Sequence, residues 1–365
     1  MSKRLETLRR HLRDAHVDAV VIVPGANLRY LTGVGFLTKL RLMAAVIPAD
    51  GEGVLVVPAL EEARARHNLQ APLHVQLWDD ADGPQAALNA AVAAAGLAGK
   101  RVAVEHMAMR VFELRALEAA APGAEIVDAT PLLAAMRMIK DADELRAMRT
   151  AVQIVEATLA ETVAAMKTGM TELEVYEIWS AAIAAAGVTP SFDLAVGSGP
   201  NGANPHHVNG ERRLQQGDLV VLDGGVYVDG YASDITRTVA VGQPDAEARR
   251  IYELVLAANQ AGRAACRPGA TGEQIDRAAR SVIEQGGYGR YFIHRTGHGL
   301  GMEIHEPPFI VGGSREPLQP GMTFTVEPGV YLPGVCGVRI EDDMVITENG
   351  AESLTSFERA LISVP

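Results

Sequence analysis

Residues 222–238 read LDGGVYVDGYASDITRT. Val220–Leu222, Val226–Val228 and Ile235–Val241 are β-branched, strand-like runs, and Asp229-Gly230 is a strong two-residue hairpin signal. A turn at that dipeptide sets Asp223 opposite Thr236 and Gly225 opposite Asp234. Asp223 and Asp234 are then diagonal neighbours on one face, about 7–8 Å apart at the backbone, and their carboxylates can meet at one or two cations. The alternative is a pair of surface aspartates on a solvated hairpin. Apolar flanking strands weigh against it, as do Gly224 and Gly225, which clear space beside Asp223.

A second pair of acids lies downstream. The chain runs from Phe324 to Glu327, turns through Pro328-Gly329 and Pro333-Gly334, and returns as Gly337–Glu341. Glu327 and Glu341 are both seven residues from Gly334, so a return centred there sets them face to face. Facing carboxylates in apolar strands repel unless a cation or proton separates them. Arg339 shares the face of Glu341 and is the expected counter-charge, which leaves a Glu–Arg–Glu ion network open at this point. Asp342 and Asp343 could stand behind these acids in support, but read as solvated.

Between the two pairs, His294, His298 and His305 are spaced by four and seven residues among glycines. That pattern suits a backbone that must approach a ligand closely. No HExxH is present, which excludes a helix-borne zinc protease site. His206 and His207 lie upstream in a Gly/Pro/Asn loop, whereas His11, His16, His67, His74 and His106 read as structural or surface residues. Gly197–Gly202 fits GxGxxG, but Pro200 and Pro205 oppose the helix that a pyrophosphate needs. Cys336 falls near the acids but lacks a base and an orienting group.

Outward from this region, the second half carries a faint repeat. KTGMT (167–171) and RPGAT (267–271) each end one helix and start another, with capping boxes Thr171/Glu174 and Thr271/Gln274. Strand-like segments follow each helix pair, which predicts a pseudo-twofold α+β domain. Asp141 with Glu144 caps a helix expected to reach about Met166. The first half alternates strand candidates (18–23, 43–47, 54–57, 75–78, 101–105, 125–127) with helices over 3–16, 60–68, 84–95 and 111–120, an α/β domain. The expected division is 1–130, a linker at 131–140, and 141–365; Met136 and Met138 read as core.

Composition narrows the classes of function. The 365 residues carry a net charge of −12 without a basic block, which disfavours nucleic acid and anionic membranes as partners. Two cysteines cannot build a disulfide scaffold or a cysteine metal site. No apolar run reaches the ~18 residues of a membrane span, and the start lacks a signal-peptide core, so a cytoplasmic protein is expected.

The ordered set Asp223, Asp234, His298, Glu327, Glu341 resembles the five metal ligands of the pita-bread metallopeptidases, which include methionine aminopeptidase, prolidase and aminopeptidase P. DGGVYVDGYASDITRT, GHGLGMEIHE, FTVEPGVY and GVRIED occur in that family's order. Methionine aminopeptidases generally lack a domain like residues 1–130, whereas the proline-directed members and creatinase carry one. The resemblance implies an α/β N-terminal domain followed by a pita-bread catalytic domain. It implies Asp223 on a first metal, His298 and Glu327 on a second, and Asp234 and Glu341 bridging both. Glu327 would also be the general base. His206 and His305 would touch the substrate, with His294, Arg339, Thr236 and Thr325 in support. Four carboxylates and an imidazole suit two divalent ions, Mn, Co or Zn.

The implied reaction is hydrolysis of the bond between an N-terminal residue and proline in small peptides, by a homodimer. An Xaa-Pro aminopeptidase is favoured over an Xaa-Pro dipeptidase (prolidase), which must hold the terminal carboxylate of its substrate with a fixed cation. Arg315, the one arginine between His305 and Glu327, sits in what reads as a solvated turn, and Arg339 is committed. A non-catalytic binding protein and a metal-free creatinase-like amidinohydrolase are remoter alternatives.

Overall fold

The computed structural model describes residues 2–36 and 40–365. The chain divides into two compact units, Met1–Arg137 and Met138–Pro365.

The first unit is built on a six-stranded mixed sheet, in the order Leu73–Trp78, Gly53–Pro58, Ala44–Pro48, Ala19–Ile22, Arg101–Val104, Glu125–Asp128. Ala19–Ile22 runs parallel to Arg101–Val104 and antiparallel to Ala44–Pro48. Its three central apolar strands are buried on both faces, which is why they read as continuous runs rather than alternating ones. Two helices escape the sequence reading. Ala26–Thr32 is one short stretch closed by Gly33 at φ 81°, with no side-chain cap. Thr130–Arg137 corrects the expected linker at 131–140. Asp128 accepts from Thr130 N and Oγ1, which lets Pro131 enter the first turn where its missing N–H costs nothing. Leu133 and Met136 bury the inner face, and Tyr30 Oη donates to Met136 O.

In the second unit, helices Ala142–Ala165 and Glu172–Ala185 form one pair, Ala246–Ala265 and Gly272–Gln285 the other. The capping boxes at Asp141, Thr171 and Thr271 are all formed. The repeat extends to the backbone: Gly169 N donates to Leu214 O, and Gly269 N to Leu318 O. One sheet has the order Ser363–Val364, Ile235–Val241, Leu219–Gly224, Ala195–Ser198. The other runs Glu306–Ile310, Gly297–Gly299, Thr323–Val326, Asp342–Thr347, Gly350–Ser353.

Each acid-bearing hairpin splits between two sheets without losing register. In the first, Asp223 pairs with Thr236, and beyond a break Tyr227 pairs with Ala232 in a separate three-stranded sheet. In the second, Val326 pairs with Asp342, and beyond a break Gly329 pairs with Arg339. Asp234 lies in the first break, Glu327 and Glu341 in the second. A carboxylate freed from the pleat can aim sideways into the space between the hairpins. The two hairpins are tied together where Glu341 N donates to Thr236 O.

Candidate metal centre

One cavity of about 720 Å³ is lined by Asp223, Asp234, His298, Glu327 and Glu341, and also by His206, His294, His305 and Arg339. Ligand atoms of Asp234, His298 and Glu341 all lie within 4.8 Å of one another, so these three could hold a metal ion. His298 Nε2 lies 3.7 Å from Asp234 Oδ2 and 3.2 Å from Glu327 Oε1. Thr236 and Thr325 stand behind these groups. Thr236 Oγ1 is 2.8 Å from Asp223 Oδ1 and 2.6 Å from Glu341 Oε2, while Thr325 Oγ1 donates to Glu327 Oε1 and accepts from His298 N.

The charge balance calls for cations. Burial and the neighbouring Glu341 raise Asp234 well above the usual carboxylate range; burial and Glu327 do the same to Glu341. Burial also opposes ionisation of Glu327, but its hydrogen bond with His298 and the surrounding positive groups bring it down to about 2. Glu341 Oε1 is buried without a hydrogen-bond partner. An orphaned buried carboxylate oxygen among three further acids and an imidazole fits a divalent metal centre.

Arg339 is a counter-charge to Glu327 and Glu341, as expected, but its direct partners lie elsewhere. It pairs with Asp223 Oδ2 at 2.6 Å and donates to Thr236 Oγ1 and Tyr331 Oη. Tyr331 carries no sequence signal of its role within the VEPGVY motif, although it organises this side of the cavity. An arginine only donates, so Tyr331 Oη accepts from Arg339 Nη1 and spends its own proton on His294 Nε2, 2.9 Å away. His294 Nδ1 lies 2.7 Å from the Arg295 carbonyl and must carry the ring proton. His294 is therefore a neutral imidazole with both nitrogens engaged, consistent with burial lowering its pKa. It supports the site and has no N–H left for a substrate.

Other expectations change too. Asp342 and Asp343 are fully buried, not solvated. Arg237, Arg263 and Arg359 surround Asp342 and hold it near 2 against the effect of burial, while Asp343 Oδ2 accepts from Asp234 N and so fixes the backbone of that ligand candidate. The glycines serve packing of chain on chain rather than approach of a ligand. A Cβ on Gly225 would stand 1.9 Å from Ser233 O, and one on Gly297 1.9 Å from Thr325 O. Burial pushes Cys336 up to about 11, which disposes of a thiolate nucleophile.

The two outer histidines are held differently. His305 stands edge-on to His298 with ring centroids 4.1 Å apart, and burial lowers its pKa to about 4. The next residue, Glu306, is pinned by a buried ion pair to Lys140 at 2.8 Å. His206 is exposed on a loop whose anchor is Glu172, a buried carboxylate that accepts from Ser198 N and Oγ, Asn201 Nδ2 and Gly210 N and contacts His207 Nε2 at 2.7 Å. Its placement in a capping-box helix start gave no sequence signal of that role.

Comparison with known proteins agrees with this architecture. Residues 146–348 match the model of metallopeptidase family M24, and residues 4–139 that of the creatinase/prolidase N-terminal domain. The chain is 40% identical over 367 residues to the probable dipeptidase PepE of Mycobacterium tuberculosis, covering 100% of this chain and 96% of that one. It superposes on recombinant prolidase from Thermococcus sibiricus with a TM-score of 0.94 at 34% identity, covering 100% and 99% of the two chains. The dipeptidase from Pyrococcus horikoshii OT3 gives a TM-score of 0.93 at 37% identity, covering 99% and 100%. With a creatinase/prolidase-type domain ahead of a pita-bread domain in which two carboxylate hairpins and a histidine converge, the chain belongs to metallopeptidase family M24.

Proposed function

We propose that the protein is a two-metal dipeptidase that hydrolyses Xaa-Pro dipeptides. The observation that carries this reading is the convergence of Asp223, Asp234, His298, Glu327 and Glu341 on one cavity, with an unpartnered oxygen on Glu341. Asp223 would hold one ion, His298 and Glu327 the other, and Asp234 and Glu341 both. Two divalent ions in such a site supply Lewis acidity and a water of lowered pKa. Glu327, held ionised by His298 and its surroundings, takes the proton from the attacking water and returns it to the leaving proline nitrogen. His206 and His305 donate to the charge that develops on the scissile carbonyl oxygen. Neither requires an N–H on the substrate, which an Xaa-Pro amide lacks.

Similarity to proteins named dipeptidase and prolidase supports the dipeptide substrate over the aminopeptidase favoured by sequence. Arg315, the arginine between His305 and Glu327, is exposed and pairs with Glu273. The test compares Ala-Pro with Ala-Pro-Ala under added Mn²⁺, Co²⁺ or Zn²⁺ and under chelator. Cleavage of Ala-Pro that chelator abolishes is the expected result. Cleavage of the tripeptide alone would make the protein an aminopeptidase, and indifference to chelator would remove the metals from the reaction.

A further inference from the structure

We propose that Asp193 and Arg295 clamp the two charged ends of the dipeptide, Asp193 taking its α-ammonium and Arg295 its terminal carboxylate. The inference rests on the dipeptidase reading above and names what would make two residues the preferred length. Apart from the metal-ligand candidates and Arg339, the cavity is lined by one acid and one arginine, and these are the two. Arg339 is spent on Asp223, Thr236 and Tyr331. Among the described residues, neither the Asp193 carboxylate nor the Arg295 guanidinium has an ion pair or hydrogen bond to another side chain. A charged pair left unpaired in a ligand-sized cavity, within the ~300–1,000 Å³ typical of small-molecule sites, matches a zwitterion.

Arg295 is prepared for this task. Its guanidinium lies over the Phe309 ring, 4.6 Å from the centroid. Stacking occupies the face of the group and leaves its in-plane N–H fork for a carboxylate, which it can bind with two parallel hydrogen bonds. The backbone beneath is fixed on both sides, since Arg295 O accepts from His294 Nδ1 and the next residue, Thr296, is bonded to Asp276. Phe309 is the strand partner of His298, so the guanidinium stands beside the strand that carries that candidate ligand. Asp193 enters from the other repeat. The neighbouring Ser191 donates from N to Gly225 O and from Oγ to Ser233 O, which ties the turn to the break in the first hairpin. The two charges thus come from opposite halves of the pseudo-twofold, with the carboxylate cluster between the repeats. A longer peptide replaces the terminal carboxylate by an amide and leaves the guanidinium without its partner.

The test is calorimetric titration of the Mn²⁺-loaded Glu327→Gln protein with Ala-Pro and with Ala-Pro amide. Ala-Pro is expected to bind at least about tenfold more tightly, equivalent to ~1.4 kcal/mol. Arg295→Gln in that background should level the two affinities while leaving the amide unchanged. Asp193→Asn should weaken Ala-Pro but not lactyl-Pro, which carries a hydroxyl in place of the ammonium. Equal affinity for acid and amide in the parent, or an equal loss for both on Arg295→Gln, overturns the carboxylate half. Equal weakening of Ala-Pro and lactyl-Pro by Asp193→Asn overturns the ammonium half. Binding reports on the clamp and hydrolysis on the dipeptidase reading. Ala-Pro turnover without an acid preference sinks the clamp alone, and an acid preference with turnover of Ala-Pro-Ala only sinks the dipeptidase reading alone.

Discussion

Replacing Tyr331 by Phe removes a single buried oxygen atom, and the structure says what that atom holds. The side chain is 2% exposed, and its hydroxyl accepts from Arg339 and donates to His294, each at 2.9 Å. A hydrogen bond to a charged group contributes about 1.5–3 kcal/mol and a neutral one about 1, so the loss should be roughly 3 kcal/mol. For a unit of some 150–250 residues each kcal/mol moves the midpoint by about 2–4 °C, which gives a fall of about 6–12 °C in the catalytic-unit transition. Arg339 also loses one of the contacts that hold it against Asp223, and metal affinity should drop by about 10–100-fold, as for other changes behind a metal ligand. Differential scanning calorimetry of the metal-free Tyr331→Phe, His294→Ala and double variants reads the first quantity, and Mn²⁺ titration the second. The cycle should show strong coupling, because either substitution alone breaks the same bridge. Additive effects, or a midpoint that stays put with unchanged Mn²⁺ binding, would refute the assigned proton order and the role given to the hydroxyl.

Asp234→Asn and Glu341→Gln should each abolish hydrolysis yet raise the melting temperature of the metal-free protein, because each deletes a buried like charge of unchanged shape. Melts with and without chelator check this, and a variant that still gains the full stabilisation from metal would count against the bridging role. The pH dependence follows from the same charges. Asp234 and Glu341 are raised in the folded state, so the stability they contribute is full below the unfolded range near pH 4 and is lost as pH climbs through their folded values. Glu327, held at about 2, works in the opposite sense and gives up its contribution only as pH falls from about 4 toward 2. Urea melts of metal-free protein should therefore weaken with rising pH above about 4, more so in wild type than in Glu341→Gln; parallel curves would contradict the shift. Gly225→Ala puts a methyl group 1.9 Å from Ser233 O and 2.3 Å from Ser191 Oγ, and should cost at least about 3 kcal/mol or prevent soluble expression, whereas a stable, active variant would show that the break in the hairpin can shift.

The acids were legible because a hairpin turn converts spacing into geometry. Asp229-Gly230 and the symmetry about Gly334 were enough to place Asp223 against Thr236 and Glu327 near Glu341, and the ladder registers agree. The breaks that swing the carboxylates out of the pleat were not legible, since they depend on which sheet each half-strand joins. The ion pair of Arg339 with Asp223 is hidden for a related reason: the partner lies on the other hairpin, and pairing rules within one hairpin are blind to it. Asp342 and Asp343 looked solvated because acids usually are. The burial of Asp342 depends on Arg237, Arg263 and Arg359, which are remote from one another in sequence, and Asp343 is engaged by the backbone N–H of Asp234 on the other hairpin. Thr130–Arg137 is hard to read from sequence because its start depends on Asp128 accepting from the Thr130 N–H just ahead of Pro131.

The bond from Glu341 N to Thr236 O joins residues 105 apart. During synthesis at about 5–20 residues per second, the first hairpin leaves the ribosome roughly 5–20 s before the second can reach it. Over that interval Asp223 and Asp234 stand in water, able to shed their mutual repulsion to solvent and salt. The cavity closes only when the second repeat docks, a late and non-local step that pays the chain entropy of a long loop. Metal uptake should therefore report completion of the whole unit rather than its nucleation, and a nascent chain halted before Glu341 should be unable to retain the ions.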